Sequence, residues 1–223
     1  METLREIYTR YKIMPSLQMH QLRVAAVGKT VCEHFKDGID THAVVAACLL
    51  HDMGNILKFD LSAFPDFLEP EGLAYWQGVK DEYEVKYGRD QHAATLAIAR
   101  ELGVSEKILR CIDCVAFSKA EDTLTNGSWE EKVCEYADSR VSPHGVLTLD
   151  ERLREARKRY LARKGSAGQD IAIVPPDRFE ELVAAEHEIE RRLFARTDIT
   201  PVDITDASVA RIIEELRAYE FMN

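Results

Sequence analysis

The chain has 223 residues, of which 46% are apolar and 30% charged, a balance typical of a folded globular protein and not of a disordered one. Its 29 basic and 39 acidic residues give a net charge of −10, which disfavours a general nucleic-acid binder but leaves a small phosphorylated ligand open. The five cysteines and the charged residues 1–10, which lack an apolar signal core, predict a cytoplasmic protein with reduced thiols.

The first half of the chain is predicted to be helical. Apolar residues at helical spacing indicate a helix over residues 17–35, started by Pro15 and stopped by Gly38. A second helix, over residues 40–53, is apolar on both sides, and Gly54 is expected to end it as a C-terminal glycine. This helix holds the longest apolar run, which is too short to span a membrane.

Residues 55–90 are rich in proline, glycine and aromatic residues, and they predict a loop followed by a helix over about 71–87. Further helices are predicted at 90–102 and 105–118. Ser128 and Glu131 form a capping box that opens another helix, ending before Pro143. The aromatic residues of 55–90 fit either a lid over a site or a small satellite core.

The last part of the chain is also predicted to be helical. A basic helix at 149–164 is followed by a Gly/Ser/Pro linker at 165–177 and by two amphipathic helices at 179–196 and 207–219. Strand signals are almost absent. The sequence therefore predicts an all-α fold, with a helical domain over 1–145, an insert at 55–90, and a helical C-terminal extension over 146–223.

Four polar residues interrupt the apolar helical patterns: His20, the adjacent pair His51 and Asp52, and Asp138. Such side chains are costly to bury unless they are paired or bind a metal. Two imidazoles and two carboxylates suit divalent ions such as Mn, Fe, Co, Ni or Mg better than a thiolate zinc site. Each residue taken alone also has an ordinary structural explanation, and the spacing matches no short motif.

The sequence around these residues resembles the HD-domain superfamily of metal-dependent phosphohydrolases. The similar stretches are LQMHQLRVAA at 17–26, AACLLHDMGN at 46–55 and EYADSRV at 135–141. The resemblance spans about residues 15–145 and implies an HD-type helical bundle. It also implies that His20, His51, Asp52 and Asp138 hold one divalent metal ion per chain (Mn, Fe, Co, Ni, Mg or Zn). A carboxylate such as Asp52, beside the ion, is a plausible base for the attacking water.

His92 begins a predicted helix where binuclear members of this family carry a further histidine. The next helix contains no histidine and offers only Asp113, so a second metal is left open. We expect His92 to act as a catalytic residue near the bound phosphate or the metal water. The alternative is an exposed residue at the start of a helix.

Substrate binding requires cations or N–H donors near the metal. Many HD hydrolases have lysine where this chain has Asn55, and the uncharged amide cannot replace it fully. The predicted substrate-binding residues are therefore Asn55 with Lys58, Arg23 and Arg140, and each cation fits a surface salt bridge equally well.

The sequence thus predicts a metal-dependent phosphohydrolase acting on a phosphate ester of a small metabolite or nucleotide. Two alternatives stay open: a non-catalytic nucleotide-binding sensor, and an iron-dependent oxygenase on the same fold. No membrane partner is expected. The basic helix at 149–164 is explained more simply by packing against the acidic helices after it than by nucleic acid, and a homodimer is left open.

Overall fold

The computed structural model describes residues 2–62, 65–163 and 176–221, and within them the chain is all-α, as the sequence predicts. The helices are α1 (Leu4–Arg10), α2 (Pro15–Glu33), α3 (Thr41–Leu50), α4 (Leu73–Tyr87), α5 (Gln91–Glu101), α6 (Glu106–Asp113), α7 (Ala120–Asn126), α8 (Trp129–Asp138), α9 (Leu149–Arg163), α10 (Pro176–Phe194) and α11 (Asp206–Leu216). The strands are β1 (Glu2–Thr3), β2 (Val141–Ser142), β3 (Gly145–Val146) and β4 (Glu220–Phe221). No helix among the described residues is both long and apolar enough to cross a bilayer.

Helices α2 and α3 form the centre of the fold. α2 packs against α3, α8 and α11, and α3 packs against α6 and α8 as well. Because α3 is covered on several sides, residues 43–50 are all buried, which explains why this helix is apolar all round. Gly28 of α2 allows the close approach of α3, since a Cβ atom there would lie 3.0 Å from Cγ1 of Val44.

The end of α3 differs from the prediction. The helix stops at Leu50, with His51 as its C-cap residue, and Gly54 has a φ of −92°. Gly54 is therefore not the left-handed glycine that commonly follows a helix. It is required for another reason, because a Cβ atom at this position would lie 2.3 Å from the carbonyl oxygen of Gln91 in α5.

The helix predicted at 105–118 is also shorter than expected. α6 ends at Asp113, and a 3₁₀ turn over Phe117–Lys119 leads into α7, which the sequence did not predict. The backbone of Ala116 is extended between them, and its N–H donates a hydrogen bond of 2.9 Å to Oε2 of Glu135 in α8. This buried carboxylate compensates for the backbone bond that a continuous helix would have made.

The two ends of the described chain meet, because β1 pairs antiparallel with β4, with Glu2 opposite Phe221. α10 packs against α7 and α8, and α11 packs against α2. The C-terminal helices therefore share the core with the first half of the chain, and the domain division at residue 145 stays a prediction. The linker predicted at 165–177 lies mostly outside the described residues, and its last two residues already belong to α10.

The basic helix α9 contacts the acidic helix α10 through an ion pair, in which Arg157 Nη2 lies 2.9 Å from Glu180 Oε1.

In the 55–90 segment, Trp76 and Tyr83 are buried in the main core, whereas Tyr75 is 44% exposed. Phe67 lies 6.3 Å, ring to ring, from His144. The segment thus supplies core residues, and its Phe64 lies outside the described part of the chain.

Candidate metal centre

The four predicted metal ligands come from three helices that meet at one place. His20 lies in the N-terminal half of α2, His51 caps the end of α3, and Asp52 follows it. Asp138 is the last residue of α8, and α2, α3 and α8 all pack against one another. The C-terminal ends of α3 and α8 carry partial negative charge, which favours a cation between them.

The side chains converge within contact distance. His20 Nε2 lies 3.1 Å from Asp138 Oδ1 and 3.5 Å from Asp52 Oδ2, and His51 Nε2 lies 3.4 and 3.6 Å from the same two oxygens. One ligand atom each of His20, His51 and Asp52 falls within 4.8 Å of the others. Nitrogen and oxygen atoms at such separations fit neighbouring ligands of one ion with bonds of about 2.0–2.2 Å.

The tautomer of His51 leaves its Nε2 atom available as a ligand. Nδ1 lies 2.8 Å from the carbonyl oxygen of Cys48, and because a carbonyl only accepts, Nδ1 carries the proton. The imidazole side chain is 1% exposed, and its Nε2 atom has no hydrogen-bond partner among the described residues. A buried, oriented nitrogen without a partner is the arrangement that a bound metal would satisfy.

The charges at this place are strongly coupled. Burial alone would lower the pKa of His51, but the charge of Asp52 and the contact with Asp138 outweigh burial and raise that pKa to about 10. Burial would raise the pKa of Asp138, whereas the close contacts and the charges of His20 and His51 hold it well below its usual value. The site thus keeps its carboxylate ionised, as a metal ligand must be.

The turn that carries Asp52 is held by backbone hydrogen bonds. The N–H of Asp52 donates to Oε1 of the buried Gln21 at 3.3 Å, and the N–H of Asn55 donates to the carbonyl of Asp52 at 3.0 Å. The N–H of Gly54 donates to Oγ1 of Thr95 at 2.9 Å, which ties the turn to α5. These bonds fix the carboxylate relative to both imidazoles.

His92 lies in the first turn of α5, outside the group of His20, His51 and Asp52. Its Nε2 atom is 2.8 Å from Asp113 Oδ1, and Lys119 Nζ is 2.8 Å from the same oxygen. The side chain of His92 is 27% exposed. In the sequence analysis Asp113 is only a doubtful ligand, and Lys119 is not identified. The sequence around Lys119 contains no motif that indicates a role in a site, because the position of this lysine depends on the end of α6 at Asp113.

Two of the four predicted substrate-binding residues are accessible. Arg23 is partly exposed, with Nη1 3.4 Å from the carbonyl of Pro143 and Nε 3.7 Å from Asp206 Oδ1. Lys58 is exposed at the end of the 3₁₀ turn that follows Gly54. Asn55 is only 2% exposed, so the structure places its amide inside the turn rather than at a surface that a substrate can reach.

Arg140 is not placed for the predicted role in substrate binding. Its side chain is buried, with Nη2 3.2 Å from the carbonyl of Pro201 and 3.0 Å from that of Ile204. Nε and Nη1 donate to the Leu147 carbonyl and the Tyr136 hydroxyl. The guanidinium therefore joins the end of α8 to the turn before α11. Sequence spacing could not reveal this, because Pro201 and Ile204 are distant from Arg140 along the chain.

The comparison with known families agrees with this geometry. Residues 18–120 match the family model of the HD domain, and this match supports membership of the HD-domain superfamily. HD domains are mostly hydrolases that bind divalent metals, and His20, His51 and Asp52 offer ligands for one. The matched segment ends before Asp138, whose proximity to both histidines comes from the structure. No curated protein and no solved structure matches the chain significantly.

Proposed function

We propose that this HD-domain protein is a metal-dependent phosphohydrolase that cleaves a phosphate ester of a small metabolite or nucleotide. His20, His51, Asp52 and Asp138 would hold one divalent ion, of which Mn, Fe, Co, Ni, Mg and Zn are the candidates. The observation that supports this most is the buried Nε2 atom of His51. It faces two carboxylates and lacks a hydrogen-bond partner among the described residues.

A divalent ion bound here supplies a Lewis acid and a water of lowered pKa. The protein's own part is to orient the reacting groups and to take up the proton. Asp52 approaches the imidazoles through Oδ2, and as a carboxylate beside the ion it is the proposed base for the attacking water. The side chains of His20 and Asp138 are 17% and 30% exposed, which leaves this side of the site open to a substrate.

His92 is the proposed proton donor to the leaving group. Its imidazole is partly exposed and lies 2.8 Å from Asp113 Oδ1, which orients the ring. A second metal bound by His92 and Asp113 is disfavoured, because the Lys119 ammonium already lies within 3.4 Å of both side chains. A mononuclear site therefore fits better than the binuclear centre of an oxygenase.

The substrate is proposed to be small and phosphorylated. The net charge of −10 opposes long nucleic acids, whereas a local group of cations can still attract one phosphate. Arg23 is one helical turn after His20 and remains a proposed contact, as does the exposed Lys58. A cytoplasmic location and a homodimer stay predictions.

The proposal is tested by turnover of a broad phosphoester panel. The protein is stripped with a chelator and reloaded with each candidate ion, beside His51→Ala and Asp52→Ala variants. We expect metal-dependent release of phosphate that both variants abolish. No turnover by any loaded form would contradict the proposal. Nucleotide-dependent thermal shifts without turnover would then favour the nucleotide-binding sensor. About two irons per chain together with oxygen consumption would favour the oxygenase.

A further inference from the structure

We propose that Lys119 is the cation that binds the phosphate group of the substrate, held in place by Asp113. This inference rests on the proposed hydrolase function and adds a residue that the sequence did not identify. The usual lysine position of the family carries Asn55 in this chain, and that side chain is buried. Arg140 is buried as well, with its donors directed to protein acceptors. A bound phosphate group therefore requires another cation.

Lys119 lies close to His92 at the start of α5. This end of α5 packs directly on the turn over residues 51–55, which carries His51 and Asp52 and is called the metal-binding turn below. The N–H of Gly54 bonds to Thr95 at 2.9 Å, and a Cβ atom on Gly54 would lie 2.3 Å from the carbonyl of Gln91. His92 lies one helical turn before Thr95 and thus on the same side of α5. Since Gly54 is two residues after Asp52, His92 and its partners stand beside the proposed metal site.

Among the described residues, Asp113 provides the two oxygen acceptors that orient the ammonium group of Lys119. Nζ lies 2.8 Å from Oδ1 of Asp113 and 2.7 Å from its carbonyl oxygen. His92 Nε2 is 3.4 Å away and is itself 2.8 Å from Asp113 Oδ1, so it serves as a donor to that oxygen and not as an acceptor for lysine. An ammonium group has three N–H donors, and Asp113 accounts for two of them.

One N–H of Lys119 thus remains for a ligand, and the side chain is 35% exposed. A phosphate oxygen is the matching acceptor, because charge-assisted N–H···O bonds are the strong ones and lysine binds phosphate as a point charge. Hydrogen bonds from Lys119 and His92 outweigh partial burial and keep the pKa of Asp113 below its usual value. Asp113 therefore stays ionised and holds the lysine at the edge of the site.

The test is titration of the metal-loaded protein with inorganic phosphate by calorimetry. A hydrogen bond to a charged group contributes about 1.5–3 kcal/mol, so Lys119→Met should weaken phosphate binding about 10- to 100-fold, and KM should rise similarly in turnover assays. Lys119→Arg should retain most of the affinity. The control is Lys36→Met, which removes an exposed lysine between α2 and α3 and should leave phosphate binding unchanged.

Three outcomes would overturn the inference: wild type that binds no phosphate, Lys119→Met that binds it as wild type does, or the loss occurring in Lys58→Met instead. A purely structural Asp113–Lys119 contact would give the second of these outcomes, with a lower melting temperature of Lys119→Met and an unchanged phosphate affinity. Calorimetry requires no turnover. If the enzyme is active and its KM is the same in wild type and Lys119→Met, the hydrolase proposal stands and the inference about Lys119 is wrong. If Lys119 is needed for phosphate binding but no substrate is turned over, the hydrolase proposal alone is contradicted.

Discussion

The Nε2 atom of His51 lies 3.4 Å from Oδ1 of Asp138, although one residue caps α3 and the other ends α8. The contact brings two helix C-termini, one imidazole and one carboxylate to the same place. The pKa of His51 is raised to about 10 and that of Asp138 is lowered, because burial is outweighed by their mutual attraction and that of their neighbours. A divalent cation bound between them would replace the proton on His51 Nε2 and compensate the charge of the carboxylate.

The first prediction concerns stabilisation by metal. A divalent ion that binds only the folded protein should stabilise wild type by about 2.7 kcal/mol when its free concentration is a hundred times Kd. His51→Ala removes a buried proposed ligand, so the same ion should leave its melting temperature nearly unchanged. The measurement is a thermal melt with and without each ion. Equal metal-dependent shifts in wild type and His51→Ala would show that the ion binds elsewhere.

The second prediction concerns Gly54. A methyl group on this residue would collide with the carbonyl of Gln91 at 2.3 Å and with Ala94 Cβ at 2.9 Å, so α5 must move. Gly54→Ala should therefore lower the free energy of unfolding by about 1–3 kcal/mol or more and impair metal binding. Urea denaturation measures the first effect, and metal titration measures the second.

Gly78 provides the matched control, because it lies inside α4 with nothing within 4 Å of a Cβ atom. Gly78→Ala should be neutral or stabilising by up to about 1 kcal/mol, since alanine is the better helix former. If Gly54→Ala were tolerated as well as Gly78→Ala, the close contact between the metal-binding turn and α5 would be wrong.

A buried carboxyl pair joins α8 to α10. Glu135 and Glu186 are almost completely buried, and Ser139 donates to Glu186 Oε1 at 2.8 Å. Burial raises the pKa of Glu135 well above its usual value, with the charge of Glu186 adding to the effect. Burial likewise raises the pKa of Glu186 to about 7. The two groups are expected to share a proton near neutral pH.

The third prediction is the resulting pH dependence of stability. A raised pKa means that the folded state holds a proton that the unfolded state releases near 4.5, so the stabilisation is complete below that pH and is lost as pH rises through about 7. Stability should fall by up to about 1.4 kcal/mol per pH unit in this window. Urea denaturation of the metal-free protein at several pH values measures the slope.

The control for this prediction is Glu186→Gln, which keeps the shape of the side chain but cannot ionise. Its stability should decline less between pH 5 and 7, and the difference from wild type isolates the carboxyl pair from His51, which titrates in the same protein. Parallel slopes in wild type and Glu186→Gln would contradict a proton shared between Glu135 and Glu186.

The fourth prediction separates structure from substrate binding at Arg140. Arg140→Met leaves the carbonyls of Leu147, Pro201 and Ile204 without a charged donor, and each such loss costs about 1–3 kcal/mol. The variant should lose about 3 kcal/mol or more of stability, while any folded fraction keeps the KM of wild type. Arg211→Met, at a side chain that is 88% exposed, should change neither. A raised KM at full stability would restore Arg140 to the substrate site.

Much of the fold was predictable because its helices carry strong local patterns. The apolar spacing of α2 and the all-round apolar character of α3 predicted both helices to within a few residues, and Ser128 with Glu131 forms the predicted capping box. The end of α6 was missed because the break at Ala116 is stabilised by Glu135, a contact between distant parts of the chain. The helix propensity of the local sequence does not depend on such distant contacts and therefore cannot predict them.

The candidate site shows the same division. Polar residues within apolar helices drew attention to His20, His51, Asp52 and Asp138, and the resemblance to the HD-domain superfamily implied their role as ligands. The structure brings all four together. Lys119 lies in a segment without a motif, and its proposed role rests on its contacts with Asp113 in the structure. Arg140 was assigned to the site because it is near Asp138 in sequence, but on the helix end it turns toward Ile204.

The most direct test of the account is the metal content per chain, measured by elemental analysis of wild type beside Asp138→Ala. Asp113→Ala is the matched control, because it removes a carboxylate that contacts His92 and not the four proposed ligands. We predict about one transition metal per chain in wild type and in Asp113→Ala, and clear loss in Asp138→Ala. Metal absent from wild type under every loading condition, or retained fully by Asp138→Ala, would contradict the proposed centre.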